Sequence, residues 1–323
     1  MKIGVLGTGW IVHPITAALK GMSNMECYAI ASRTKERGEQ AAKEFGYKVG
    51  YGSYEELVAD PAVELVYVAT PHSRHFEDMK LCIEAGKNVL CEKAFTLNAA
   101  QAEEIKRLAA EHKVYVAEAI WTRYQPARKL INDTIASGII GKVTTLTANL
   151  SYNMIQKERI YNPELAGGAL LDIGVYGINF AMMHFGEDIV RMESSVQMLD
   201  TGVDGMETIT LFYRDGRMAV LTHSVYGRSD RKGIFYGENG YIIVENINNP
   251  QSVSVYDAGD NLLQFIPVPE QINGYEYQFA EAADCIEDGK LESVSMPMDD
   301  TVKVMQVMDA LRKQWGMVYP QER

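Results

Sequence analysis

The stretch Gly7-Thr8-Gly9-Trp10-Ile11-Val12 follows a short apolar run, Lys2–Leu6, and leads into a helical pattern. In such a stretch the first glycine permits a tight turn and the second lets the backbone approach a pyrophosphate, which amide N–H groups at the helix start then hold. Val12 stands where the pattern has a third small residue. The flanking strand and helix, and the βαβ alternation beyond them, therefore carry the reading. It implies a dinucleotide site built from Gly7, Thr8, Gly9, Trp10 and Ile11. The next apolar run ends in Ala31-Ser32-Arg33. Ser32 and Arg33 are not acidic, so the Asp or Glu that an NAD site usually places here to accept from the ribose 2′-hydroxyl is missing, whereas Arg33 and Arg37 can grip a 2′-phosphate through charge-assisted hydrogen bonds. The expectation is NADP(H) in preference to NAD(H), with NAD(H) possible. The alternative is that both arginines decorate a solvated helix start.

Three further residues have the chemistry to act on a hydroxyl or carbonyl. Lys93 comes just after the apolar run Asn88–Cys91, at the C-terminal edge where doubly wound sheets place ligands. An ammonium there can hydrogen-bond a substrate oxygen and lower the pKa of a neighbouring acid, although a lysine is by default a solvated surface residue. Asp172 and Tyr176 are four apart on an expected helix, Ala169–Phe185, and so share one face. A carboxylate and a phenol on one face suit a polyol or carbonyl substrate. An aspartate complementing the helix dipole and an amphipathic tyrosine would give the same pattern.

The elements that must position these groups are legible as changes of period. Up to about residue 120, strand-like runs (Lys2–Leu6, Met25–Ala31, Glu64–Ala69, Asn88–Cys91, Val114–Ala117) alternate with helical patterns (Lys35–Phe45, Glu55–Ala59, Phe76–Ala85, Ala99–Glu111), which implies βαβ units on a parallel sheet. From about residue 142, eight strand-like runs between Val143 and Ile266 are joined in part by Asp-Gly and Asn-Gly turns of the hairpin kind. The fold class expected is an α/β doubly wound parallel sheet followed by an α+β domain with a large, mostly antiparallel open sheet. The domains expected are 1–120 for the dinucleotide and 121–323 for substrate and oligomerisation, with late helices near Tyr275–Glu287 and Asp300–Trp315 able to pack back on the first. A sheet this wide must bury its second face, so a homo-oligomer, a dimer or a dimer of dimers, is expected.

Composition narrows the partners. With 31 Lys and Arg against 43 Asp and Glu, the formal net charge is −12, which offers nothing to a nucleic acid or an anionic membrane. Cys27, Cys82, Cys91 and Cys285 are dispersed, with no CxxC pair, and read as buried reduced thiols. No basic segment followed by an apolar one opens the chain, and no apolar run reaches the roughly 18 residues of a membrane span. A cytoplasmic location follows as an expectation. No HExxH or grouped His and carboxylate set is present, so no metal is expected. The methionines of Met296–Met317 are spaced for packing.

Ala69-Thr70-Pro71-His72 with His75, and Ala85-Gly86-Lys87-Asn88-Val89-Leu90-Cys91-Glu92-Lys93, resemble the Gfo/Idh/MocA oxidoreductase family, whose members carry a comparable AGKxVLxEKP stretch. Tyr51-Gly52-Ser53-Tyr54-Glu55-Glu56-Leu57, Glu118-Ala119-Ile120-Trp121-Thr122-Arg123, Gly167-Gly168-Ala169-Leu170-Leu171-Asp172 and Tyr319-Pro320-Gln321 are similar to its dimeric trans-1,2-dihydrobenzene-1,2-diol dehydrogenase or D-xylose dehydrogenase branch. The likeness spans nearly the whole chain, with one departure: Ala94 stands where the family usually has proline. The resemblance implies a catalytic Lys93 and places Asp172 and Tyr176 beside the nicotinamide, in substrate binding and proton transfer. It also implies coenzyme contacts for Thr70, Pro71, His72, His75, Glu92, Lys93, Trp121 and Arg123. His75 is equally readable as a solvent-facing histidine at a helix start, and Trp121 as core. Tyr161 is a candidate lid residue by location.

The implied reaction is hydride transfer between a nicotinamide and a small polyol, sugar or dihydrodiol. Tyr176 exchanges the proton, Lys93 holds the oxygen or is itself the acid, and Asp172 orients the substrate. Alternatives are reduction of another carbonyl, such as an anhydroketose or inositol-type substrate, a redox-neutral elimination, or a non-catalytic NADP-binding sensor. A sensor has no need of Lys93, Asp172 and Tyr176 together.

Overall fold

The computed structural model describes all residues, Met1–Arg323. They form two compact units, Met1–Tyr124 with Gln271–Met305, and Gln125–Glu270 with Gln306–Arg323.

The first unit alternates strand and helix in the order β1 (Lys2–Leu6), α1 (Val12–Gly21), β2 (Glu26–Ala31), α2 (Lys35–Phe45), β3 (Val49–Tyr51), α3 (Tyr54–Ala59), β4 (Leu65–Val68), α4 (His75–Glu84), β5 (Asn88–Glu92), α5 (Ala99–His112) and β6 (Val116–Ala119). Its six strands lie in the order β3-β2-β1-β4-β5-β6, all parallel. This is the doubly wound order, in which strand direction of travel reverses between β1 and β4 and leaves a crevice at the C-terminal edge. Local chemistry sets the helix ends. Thr34 accepts from Arg37 N at the start of α2, Asn98 accepts from Gln101 N at the start of α5, and Gly46 closes α2 in the left-handed conformation. β3 has only three residues, all half-buried, too few for a period to register in the sequence.

The second unit runs α6 (Pro126–Ala136), β7 (Val143–Ser151), α7 (Glu158–Tyr161), a π-helical turn over Leu170–Gly174, α8 (Val175–Phe185), β8 (Ile189–Met198), β9 (Asp204–Tyr213), β10 (Met218–Ser224), β11 (Gly233–Gly237), β12 (Gly240–Val244), β13 (Ser252–Asp257) and β14 (Leu262–Pro267). Eight strands form one sheet in the order β14-β13-β12-β11-β7-β10-β9-β8. All neighbours are antiparallel except β7 and β10. Leu146, Leu150, Leu221 and Phe235 on its inner face are fully buried, and α8 packs against that face through Phe180 and Phe185.

The apolar length of one segment departs from expectation, and its burial explains why. The segment Pro163–Phe185 is long and apolar enough to cross a membrane by composition, with a mean hydropathy of 1.4, yet 94% of its apolar window is enclosed by the protein. A helix buried all round is apolar all round.

The last helices are α9 (Glu276–Glu287) and α10 (Met298–Trp315). α9 belongs to the first unit, where Phe279, Ala282 and Cys285 join Ile3, Val5, Ile30 and Tyr67 in one core cluster. The division between the units falls inside α10.

Candidate active site

Gly7 follows β1 at the edge of the parallel sheet and has φ +103°; a Cβ there would lie 2.7 Å from Ala69 O, so the turn demands glycine. A Cβ on Gly9 would meet nothing within 4 Å, which leaves the backbone open to a ligand. No acidic residue occupies the first turn of α1, so nothing there opposes an anion. Thr8, Gly9, Trp10, His13 and Arg37 line a cleft of about 340 Å³. Arg37 Nε donates to Thr8 Oγ1 at 3.2 Å, which joins the end of β1 to the start of α2. Arg33 is exposed and Ser32 is buried. Trp10 is 75% exposed. At the end of β4, Thr70 Oγ1 is buried without a hydrogen-bond partner. An open glycine cradle, two exposed guanidinium groups and an orphaned buried hydroxyl on one sheet edge fit a phosphorylated dinucleotide.

Lys93 follows β5 on the same edge, half-buried. The Lys93–Ala94 peptide is cis. His75 does not face solvent as one reading allowed. It is 1% exposed, with Nδ1 2.8 Å from Ala94 O and Nε2 2.9 Å from Thr70 O. A neutral imidazole donates to one of these carbonyls, and burial lowers its pKa against the pull of both. The ring thereby links the segment after β4 to the segment carrying Lys93. Glu92 is buried and accepts from Tyr67 Oη and from Lys93 N. Trp121 is buried, stacked on Tyr275 with centroids 4.0 Å apart, and the buried Arg123 pairs with Asp300 at 2.6 Å. Both contacts lie within the first unit.

In the second unit, Asp172 lies within the π turn and Tyr176 in the first turn of α8. Both are nearly buried. Arg159 of α7 donates to Asp172 Oδ1 and reaches Met154 Sδ at 3.6 Å. The preceding loop is fastened from the end of the chain: Tyr319 Oη donates to Gly167 O at 2.8 Å, and Gln321 Nε2 to Glu164 O at 2.8 Å. Tyr161 is 39% exposed.

Residues 1–119 match the family model described as "Oxidoreductase family, NAD-binding Rossmann fold", and residues 128–243 match the GFO/IDH/MocA C-terminal domain. The chain belongs to the Gfo/Idh/MocA oxidoreductase family. Among its relatives, the D-xylose 1-dehydrogenase (NADP(+)) of Hypocrea jecorina is 33% identical, over 99% of this chain and 93% of its own. The trans-1,2-dihydrobenzene-1,2-diol dehydrogenase of Danio rerio is 33% identical over 100% and 99%. KijD10, a 3-ketoreductase of Actinomadura kijaniata solved with NADP and TDP-benzene, superimposes with a TM-score of 0.88 at 26% identity over 97% of each chain.

Several residues of this oxidoreductase went unnoticed in its sequence. Arg159 sits in a helix of four residues, too short for a period. Glu118 belongs to a block already singled out, but only the fold shows it fully enclosed, accepting from Phe95 N at 3.2 Å beside the Lys93 segment. Burial pushes its carboxyl up to about 7.

Proposed function

We propose that this family member is an NADP-dependent dehydrogenase that oxidises a CH–OH group of a small sugar, polyol or dihydrodiol, or runs the same reaction in reverse. The observation that carries the reading is Lys93 at the end of β5, on the sheet edge that also holds the glycine cradle and the guanidinium groups of Arg33 and Arg37. The names of the relatives support it, since one is an NADP-linked xylose enzyme and another acts on a dihydrodiol. Reduction of a different carbonyl is the second reading, favoured by the 3-ketoreductase with the same fold.

In this reading Gly7, Thr8, Gly9, Trp10 and Ile11 hold the pyrophosphate, Arg33 and Arg37 the 2′-phosphate beside Ser32, and Thr70, Pro71, His72 and Glu92 border the nicotinamide end. The coenzyme, when bound, supplies the hydride chemistry. Tyr176 exchanges the proton of the substrate oxygen. A phenol has an ordinary pKa near 10, and the Lys93 ammonium is assigned the part of holding the substrate oxygen charged or polarised, or of acting as the acid itself. Asp172 orients the substrate hydroxyls. The first domain supplies the coenzyme site and the second the substrate site.

A homo-oligomer in the cytoplasm is part of the same proposal. Its support is the outer face of the eight-stranded sheet, where Val220, Ile234 and Ile243 are only half-buried, and the edge strand β14, where Leu262, Leu263 and Phe265 are exposed. Light scattering that returns the 36.0 kDa of one chain would remove the self-association part.

The deciding experiment is turnover of D-xylose and trans-1,2-dihydrobenzene-1,2-diol with NADP+, followed by the hydride step of Tyr176→Phe and Lys93→Met. Losses of about a hundredfold or more are expected for general acid–base groups. Near-normal rates in both variants overturn the assignment.

A further inference from the structure

Behind the helix that carries Asp172 and Tyr176 lie three buried titratable side chains that the mechanism does not use. Asp204 opens β9, Glu207 follows it, and His223 on β10 is the cross-strand partner of Glu207. None is more than 1% exposed. His223 Nδ1 is 3.1 Å from Glu207 Oε1. Asp204 Oδ2 accepts from Leu170 N at 2.6 Å, at the first residue of the π turn. Asp204 Oδ1 and Glu207 Oε2 are buried without a hydrogen-bond partner, and burial raises the pKa of both carboxyls.

The helix backbone is fitted to this cluster by glycines. A Cβ on Gly174 would lie 2.6 Å from Glu207 Oε1, one on Gly177 would overlap the His223 ring, and one on Gly168 would overlap Asp204 Oδ1. Residues 170, 174 and 177 share one face by helical spacing, roughly opposite the face of 172 and 176. Polar groups so deeply enclosed are expensive to bury, and apolar side chains would fill the space more cheaply. What they offer in return is direction, because hydrogen bonds fix an angle that apolar packing leaves loose.

We propose that Asp204, Glu207 and His223 are positioning residues, which fix the π turn through Leu170 N–H and through close contact with Gly174 and Gly177 so that Asp172 and Tyr176 leave it at the angle the substrate requires. The inference rests on the reading of Asp172 and Tyr176 as substrate-facing groups. It differs from a packing role in one respect: it needs the acceptor at position 204, not merely a filled volume.

Asp204→Ala and Asp204→Asn separate the two, because asparagine keeps an oxygen for Leu170 N–H. The full-length variants are assayed with NADP+ and whichever of D-xylose and trans-1,2-dihydrobenzene-1,2-diol the unaltered enzyme oxidises, and by hydrogen exchange of the amides of residues 168–177. In Asp204→Ala, kcat is expected to fall about tenfold or more, as misplacement of reacting groups does, with faster exchange confined to that segment and NADPH affinity unchanged. Asp204→Asn restores most of the rate and the protection. If Asp204→Ala does not fold, Gly177→Ala presses on His223 from the helix side and is expected to lower kcat in a folded protein. Normal kcat and exchange in Asp204→Ala, equal impairment of the alanine and asparagine variants, or normal kcat in folded Gly177→Ala overturns the inference. A normal Tyr176→Phe enzyme, or no turnover of either substrate, instead defeats the proposed function, and the exchange measurement still decides whether position 204 holds the turn.

Discussion

Arg159 is paired with Asp172: the guanidinium Nη1 donates to Oδ1, and the arginine side chain is 47% exposed while the carboxylate is 7% exposed. The pair ties a four-residue helix to the π turn. Because the arginine is half in water, the pair contributes little to stability. Its effect should appear in the substrate instead. Arg159→Gln is expected to lower kcat/KM by about tenfold, ~1.4 kcal/mol, with NADPH affinity unchanged. Steady-state kinetics with the better of the two substrates decide it, and an unaltered kcat/KM would show that Asp172 needs no clamp.

Arg37 bridges to Thr8 and Arg33 is exposed. Removing one charge-assisted hydrogen bond of about 1.5–3 kcal/mol from a 2′-phosphate should weaken NADPH about ten- to hundredfold. The dissociation constant of NADH should not move in Arg33→Ala or Arg37→Ala. Fluorescence titration with both coenzymes tests this, and tighter NADH than NADPH binding in the unaltered protein would dismiss the phosphate assignment.

The buried cluster of the second unit predicts opposite pH limbs of stability. Burial lifts Glu207 from an ordinary 4.5 to about 8, so the folded protein keeps a proton that the unfolded chain releases. That stabilisation is complete below pH 4.5 and disappears as pH rises towards 8. Burial likewise raises Asp204. His223 is pulled from 6.5 to about 3, so its contribution is present above pH 6.5 and is lost as pH falls towards 3. Glu207→Gln should flatten the alkaline decline and His223→Gln the acid one, each by up to about 1.4 kcal/mol per pH unit. Thermal unfolding across that range reads the slopes; curves parallel to those of the unaltered protein would contradict the prediction.

Tyr319 is 1% exposed and its hydroxyl donates to Gly167 O. Tyr319→Phe leaves that carbonyl without its donor and is expected to destabilise the protein by about 1–3 kcal/mol. Chemical unfolding measures it. A loss below a few tenths of a kcal/mol would indicate that water replaces the phenol.

The residues legible beforehand were those whose chemistry is local in sequence. A turn such as Gly7-Thr8-Gly9 is specified by its own neighbours, and the strands Lys2–Leu6 and Met218–Ser224 by short-range period, so expectation and structure coincide there. The helix Ala169–Phe185 was legible as a helix but not as a π turn followed by α8, because the groups packed against the turn, among them Asp204, which accepts from Leu170 N, are distant in sequence. β3 and α6 escaped notice. The clamp from Arg159 and the acceptor from Glu118 likewise come from separate elements, and no spacing encodes them.

The return of Gln271–Met305 to the first unit has a consequence for biosynthesis. Phe279 and Cys285 complete the core around Ile3 and Tyr67, so an emerging polypeptide of about 120 residues has every strand of the parallel sheet yet lacks a wall of its interior. The nascent half must wait, partly uncovered, while the intervening antiparallel half is made. A fragment ending there should be sticky and chaperone-dependent, and only supply of the missing helix, in trans or by circular permutation, should make it self-sufficient.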